Sequence, residues 1–263
     1  MVDLSIVLPA YNERSTIAAS LVCLTRYLDQ ESRKTGRWAT WEIVVVDDGS
    51  RDGTSEAARQ AAPDEARLII ERLEINSGKG AAVSVGLSRA QGSTILVTDV
   101  DLSYAVADLG AAYQALRAQE QAPASEDLDM VTGDRRHPSS RMDLALSSLG
   151  HVVRRQAVSA VFNLGARWLY GLPWRDTQCG LKGFKREAAA RILPKLRTRG
   201  FLADIEMLLI AQRLGLKAGC IPVHLTYLSG DSTVHVLRQL PGVLADAIRI
   251  KVAQIRRQYD GGE

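Results

Sequence analysis

Three cysteines in 263 residues, Cys23, Cys179 and Cys220, are too few and too far apart for a disulfide framework or a thiolate metal site, so reduced thiols are expected. No apolar stretch reaches the roughly 18–20 residues that a membrane-spanning helix needs. The best candidate, 156–166, is bounded by Arg155 and Arg167. Met1-Val2-Asp3 leads straight into an apolar run with no charged-then-apolar leader, so no signal peptide is expected. A net charge of only +3 gives no bulk electrostatic reason to bind nucleic acid, and none is expected as a partner. Low-complexity tracts are also missing. What remains is a globular composition, 46% hydrophobic and 24% charged, at a length that suits one large α/β domain or one domain with an appended segment.

Short apolar runs alternate with longer helical patterns. Leu4-Ser5-Ile6-Val7-Leu8 predicts a strand, and 15–28 a helix capped by Asn12 or Ser15. Glu42-Ile43-Val44-Val45-Val46 is continuous and β-branched, as a strand buried on both faces should be. Further helices are predicted at 52–61, 80–89 and 107–119, and further strands at 67–72, 94–97 and 129–133. This order implies a mostly parallel sheet with helices on both faces. Ligands of such sheets bind beyond the carboxyl ends of the strands.

Polar clusters stand at four of those ends: Pro9-Ala10-Tyr11-Asn12-Glu13, Asp47-Asp48-Gly49-Ser50, Asp99-Val100-Asp101 and Gly133-Asp134-Arg135-Arg136. Alternate residues of an extended chain point the same way, so Asp99 and Asp101 can reach one hard cation such as Mg2+ or Mn2+. Asp-X-Asp is also a common loop sequence, and only its neighbours strengthen the cation reading. Asp47 and Asp48 fit either a turn or a carboxylate that meets a base or ribose. Asn76-Ser77-Gly78-Lys79-Gly80 lacks the spacing of a phosphate-binding P-loop, which leaves Lys79 as a ligand contact or a solvated loop residue.

These segments resemble the family 2 glycosyltransferases, which have the nucleotide-diphospho-sugar transferase (GT-A) fold. The resemblance lies in 6–13, in Val44-Val45-Val46-Asp47-Asp48-Gly49-Ser50-Arg51-Asp52-Gly53-Thr54 and in Asp99-Val100-Asp101, where Val100 replaces a frequent Ala. It implies that Pro9, Tyr11, Glu13 and Asp48 surround the nucleoside and that Asp99 and Asp101 hold the metal and the diphosphate.

In the second half, Asp176-Thr177-Gln178-Cys179-Gly180-Leu181-Lys182 and Asp204-Ile205-Glu206-Met207-Leu208 resemble the dolichyl-phosphate β-glucosyltransferase branch. The likeness covers nearly all of 4–230. It implies an inverting, metal-dependent transfer of a hexose, glucose from UDP-glucose, to a polyprenyl (dolichyl-type) phosphate, with GDP-mannose as the rival donor. A non-catalytic sugar-nucleotide-binding or membrane-scaffold protein is the alternative of another class. Asp176 is expected to orient or deprotonate the acceptor, with Asp204 beside it, and Arg135 and Lys182 to hold its phosphate. A loop with a helix start is the plainer reading of Asp176 and Lys182, and a cap of the helix near Ile205 that of Asp204. Cys179 is expected to pack, since an inverting transfer needs no enzyme nucleophile. Two departures from the family stand out: Asp134 replaces a small residue, and Ser229-Gly230-Asp231-Ser232 lacks the usual lysine, a charge that His235 or Arg238 could supply.

The stretch 144–172 and the helical stretch 234–259 combine apolar residues with arginines and lysines. By themselves they suit core or homo-oligomer helices. A polyprenyl acceptor, whose tail stays in the bilayer, favours helices lying on the membrane surface, with Trp168, Tyr170 and Trp174 at its interface. The expectation is a catalytic domain over 1–230, a basic amphipathic helix over 231–263 and peripheral attachment at the cytoplasmic face of a membrane.

Overall fold

Valines and isoleucines in short unbroken runs form the centre of the molecule, because a parallel strand covered on both faces has no polar side to present. The computed structural model describes residues 2–61, 67–118, 126–143, 149–226 and 236–260, with side chains described for all of these except 149–158, 161 and 236–240. Strands β1 (Leu4–Ala10), β2 (Trp41–Asp47), β3 (Leu68–Arg72) and β4 (Thr94–Val97) are mutually parallel. With β5 (Met130–Asp134), β7 (Lys182–Lys185) and β8 (Ala218–Pro222) they make a seven-stranded sheet of order β3-β2-β1-β4-β7-β5-β8. A separate parallel pair joins β6 (Arg141–Asp143) to β9 (His224–Thr226).

Strand alternation sorts the core into two layers. Ile6, Leu8, Ile43, Val45 and Leu96 pack with α1 (Arg14–Thr35), α2 (Thr54–Ala61) and α4 (Val106–Leu116). Val7, Val44, Val46, Ile95 and Val97 pack with α3 (Lys79–Arg89), α6 (Arg186–Ile192) and α7 (Ala203–Arg213). The same second layer takes Ala166 and Tyr170 from α5 (Leu149–Tyr170) and Ile250 and Ala253 from α8 (Val236–Ile255). The segment expected as an appended helix thus shares its core with the body.

Three local readings change. Helix α1 runs to Thr35 rather than ending at 28, and stops where Gly36 adopts φ 64. Neither Asn12 nor Ser15 caps it. The N-cap is Glu13, with no side-chain bond, while Asn12 takes φ 55 and its Oδ1 accepts the Arg51 N–H at 3.1 Å. The plainer alternative for Lys182, a loop with a helix start, does not form either: Lys182 opens β7, the antiparallel strand inserted between β4 and β5. Its register sets Lys182 opposite Val97 on one side and Thr132 on the other, shortly before Asp99 and Arg135 in the chain.

Residues 229–232 and His235 lie outside the described residues, as do the side chains of Arg154, Arg155 and Arg238.

Candidate active site

The turns after β1 and β2 are stitched together by side chain to backbone bonds. Asn12 N–H donates to Ser50 Oγ at 2.9 Å, Glu13 N–H to Thr54 Oγ1 at 2.9 Å and Arg14 N–H to Asp52 Oδ2 at 3.0 Å. Gly49 is required twice over: its φ is 73, and a Cβ would lie 2.6 Å from the Ile75 carbonyl carbon. Asp47, buried, accepts from Ser50 N–H at 2.8 Å and from the Ser55 hydroxyl. Asp48 accepts from Ser77 N–H at 2.6 Å and Gly78 N–H at 2.8 Å. Its observed work is therefore to anchor the 77–78 loop. Burial raises its carboxyl and those two bonds pull it back, with a net rise. Tyr11 is exposed beside this turn, and Pro9 and Glu13 are half-buried.

That anchored loop delivers Lys79 to Asp99. Lys79 Nζ lies 2.6 Å from Asp99 Oδ1 and 3.9 Å from Asp204 Oδ2. Lys182 Nζ, fully buried, donates to Asp204 Oδ1 at 2.7 Å and to the Cys179 carbonyl at 2.6 Å. Asp99, Lys79, Asp204 and Lys182 thus form one chain of alternating charge. Burial would raise the Asp99 carboxyl, but Lys79 outweighs it and holds the group below the usual carboxylate range. Asp204 does not cap α7: the helix begins at Ala203, its N-cap is Leu202 and the carboxylate is spent on the lysines. Glu206, also buried, accepts from Arg197 N–H, Thr198 N–H and the Tyr259 hydroxyl, tying the loop before α7 to the chain after α8.

Asp101 is exposed and bonds only locally, to Ser103 N–H at 3.1 Å and Ser103 Oγ at 2.5 Å. Glu13 has its carboxyl raised, first by burial and then, against a Thr16 bond, by the charges of Asp101, Asp52 and Asp99. Among the described residues no group of three or more acidic, His or Cys side chains could hold a metal ion. Two carboxylates are nevertheless what a Mg2+-type site commonly takes from protein, with phosphate oxygens and water supplying the rest. The ammonium on Asp99 already shows that this oxygen accepts a cation. The residues present therefore fit a divalent ion held by Asp99 and Asp101.

On the acceptor side, Asp176 is fully buried. It accepts Arg135 N–H at 3.1 Å, Arg135 Nε at 2.7 Å, Arg135 Nη2 at 2.8 Å and Gln178 N–H at 3.2 Å. A carboxylate has about four lone-pair sites, so this one is saturated. The expectation that it meets the acceptor gives way to a positioning role: it clamps the Arg135 fork. Burial would raise its carboxyl, but the Arg135 bonds prevail and lower it, which also makes it a poor proton acceptor. Lys182 is likewise too buried to reach a phosphate. Asp134, buried, closes its own turn on Arg136 N–H at 2.8 Å, and Arg136 is exposed. Cys179 packs: burial, then Asp176, pushes its thiol up to about 11.

Three contributors carried no signal strong enough to be picked out. Asn163 of α5 donates to the Arg175 carbonyl and accepts from Thr177 Oγ1, bracketing Asp176. Tyr104 OH accepts the Gly180 N–H at 3.1 Å. Gly180 itself lies against Asp99, where a Cβ would overlap Oδ2.

Comparison with known proteins agrees with this geometry. The family model described as "Glycosyl transferase family 2" matches residues 5–190. A human dolichyl-phosphate beta-glucosyltransferase is 31% identical over 246 residues, covering 88% of this chain and 70% of that protein. Its Dictyostelium discoideum counterpart is 29% identical over 230 residues, 87% of this chain and 68% of that one. In structure, glucosyl-3-phosphoglycerate synthase from Mycobacterium tuberculosis, solved with Mn2+, UDP-glucose and phosphoglyceric acid, aligns with a TM-score of 0.62 at 18% identity, over all of this chain and 82% of that one. The fold is GT-A, and the chain belongs to glycosyl transferase family 2, where it resembles the dolichyl-phosphate beta-glucosyltransferases.

Proposed function

We propose that the protein transfers glucose from UDP-glucose to a polyprenyl phosphate, with inversion and with a divalent cation at Asp99 and Asp101. The observation that carries this reading is the likeness to dolichyl-phosphate beta-glucosyltransferases over 87–88% of the chain. The GT-A neighbour solved with Mn2+ and UDP-glucose supports the donor and the metal. When bound, the cation would neutralise charge growing on the departing diphosphate. Pro9, Tyr11, Glu13 and Asp48 line the nucleoside end. Arg135 keeps its Nη1 without a partner among the described residues, while Asp176 fixes the rest of the fork; that free edge meets a phosphate oxygen. A phosphate monoester has a second pKa of about 6, so the nucleophile is already ionised near pH 7 and a saturated Asp176 need not act as base. Asp204, through Lys182 and Lys79, positions the donor and acceptor halves against each other. A panel of UDP- and GDP-sugars with polyprenyl phosphate tests the reading: lipid-linked product from UDP-glucose supports it, and product from GDP-mannose alone would replace it with a mannosyltransferase.

The acceptor's tail requires a surface that meets lipid. Leu164 and Trp168 on α5 are 65% and 86% exposed, and Leu244, Ile248 and Ile255 on α8 are 61%, 66% and 70% exposed. The two helices are fastened together, Lys251 Nζ to the Leu169 carbonyl at 2.7 Å, Gln254 Nε2 to the Tyr170 carbonyl at 2.9 Å and Tyr170 OH to the Ala247 carbonyl at 3.0 Å. Arg249 and Lys251 lie on the same helix as the second stripe, and Arg256 follows its last residue. No helix among the described residues is long and apolar enough to cross a membrane. This pair of helices is the membrane-facing surface of the proposal. Trp168→Glu with Ile248→Glu should lower binding to anionic liposomes by at least roughly a hundredfold, since each side chain is worth about 1.5–3 kcal/mol on burial. Co-sedimentation at low salt reads the effect, and unchanged binding would remove these helices from the interface.

A further inference from the structure

Lys79 holds the oxygen that a cation would need. Its Nζ is 2.6 Å from Asp99 Oδ1, and a second carboxylate oxygen, Asp204 Oδ2, lies 3.9 Å away on its other side. The backbone that carries it does not have to move. Asp48 pins Ser77 and Gly78 immediately before it, and the Arg199 carbonyl accepts the Ala81 N–H at 3.1 Å just after it. What can move is a four-carbon stem ending in a compact ammonium with three donors. Asp204 is held ready to receive it, because Lys182 fixes its Oδ1 at 2.7 Å and leaves Oδ2 facing Lys79. Gly180 leaves the space that Asp99 Oδ2 occupies, since a Cβ there would overlap it. An ammonium and a divalent ion on the same carboxylate oxygen repel each other and compete for the same lone pairs.

We propose that Lys79 is a built-in competitor for the metal. Without a cation it neutralises Asp99, and when a cation arrives it swings onto Asp204. The proposal rests on the reading of Asp99 and Asp101 as the metal carboxylates. It gives Lys79 and Asp204 a part that donor binding alone would not: they set how tightly the nucleotide-free protein takes metal. It also keeps the Asp99 carboxylate paired in the metal-free site.

The test is a Mn2+ titration followed by electron paramagnetic resonance of the free ion, on protein without nucleotide, for wild type, Lys79→Gln, Lys79→Met and Asp99→Asn. Lys79→Gln and Lys79→Met should each bind Mn2+ about tenfold more tightly than wild type, within the usual range of coupling between two ligands. The two substitutions differ in polarity, so poor folding of one, seen by thermal melting, leaves the other to report. Unchanged or weaker Mn2+ binding in a folded Lys79 variant would overturn the proposal while leaving the metal site in place. If Asp99→Asn binds Mn2+ as wild type does, the metal assignment itself fails. A purely structural Lys79 would lower stability without tightening Mn2+.

Discussion

Asp101→Ala should abolish most transfer activity while leaving the fold intact. Asp101 is exposed, and its bonds reach no farther than Ser103. A surface change of this kind costs within about 0.5 kcal/mol, so the melting temperature should barely move. Loss of one group that stabilises charge on the leaving diphosphate costs about 10²–10³ in kcat. The divergence between intact stability and lost turnover is the signature, together with loss of the Mn2+ response in the residual rate. Gly180→Ala should lower activity from another direction, because the added methyl displaces the Asp99 carboxylate, but at this buried position it should also cost about 1–3 kcal/mol of stability. Full activity in Asp101→Ala, measured with saturating Mn2+, would remove the metal from Asp99 and Asp101.

Asp176→Ala should lose stability as well as activity. The Arg135 side chain retains 24% exposure and Asp176 none, so truncation strands a mostly buried guanidinium. Breaking a buried pair from one side costs about 3–5 kcal/mol, and partial exposure of the arginine reduces this to roughly 2–4 kcal/mol. At about 2–4 °C per kcal/mol for a chain of this size, thermal melting should drop by roughly 5–15 °C. The pH dependence has a definite sign. Asp176 has a folded value below its unfolded value of about 3.9, so its contribution is fully present above that pH and is lost as pH falls through the lower folded value. The gap between wild type and Asp176→Ala should therefore be constant from pH 5 to 8 and close below about pH 4. A melting temperature within 1–2 °C of wild type at pH 7 would show that the clamp on Arg135 does not form.

Much of this was legible because parallel strands buried on both faces announce themselves. Ile43, Val44, Val45 and Val46 cannot belong to a half-solvated element, and each such run ended where a polar cluster began. The end of α1 was missed because its last turns are polar and only Gly36 marks the stop. Strand β7 was hidden for a different reason. Its Lys182 is a charge in the middle of a sheet, tolerated only because Asp204, 22 residues later, neutralises it. No local pattern reports a partner that far away. The site shows the same division. Asp48, Asp99, Asp101 and Asp176 stand out in the sequence as residues worth naming, but their hydrogen bonds decide what each can do. Asp176 turns from an acceptor contact into a clamp, and Lys79 from a residue with two equal readings into the partner of Asp99. Gly180 and Tyr104 matter through contacts made across the fold, which sequence spacing does not encode.

The most direct test is the fate of labelled glucose. Purified protein, Mn2+, UDP-glucose labelled in the sugar and a polyprenyl phosphate in liposomes should yield label that partitions into organic solvent, is released by mild acid as glucose, and disappears when the metal is chelated or the lipid phosphate is omitted. Label that stays in water, or a lipid product formed from GDP-mannose and not from UDP-glucose, would contradict the account.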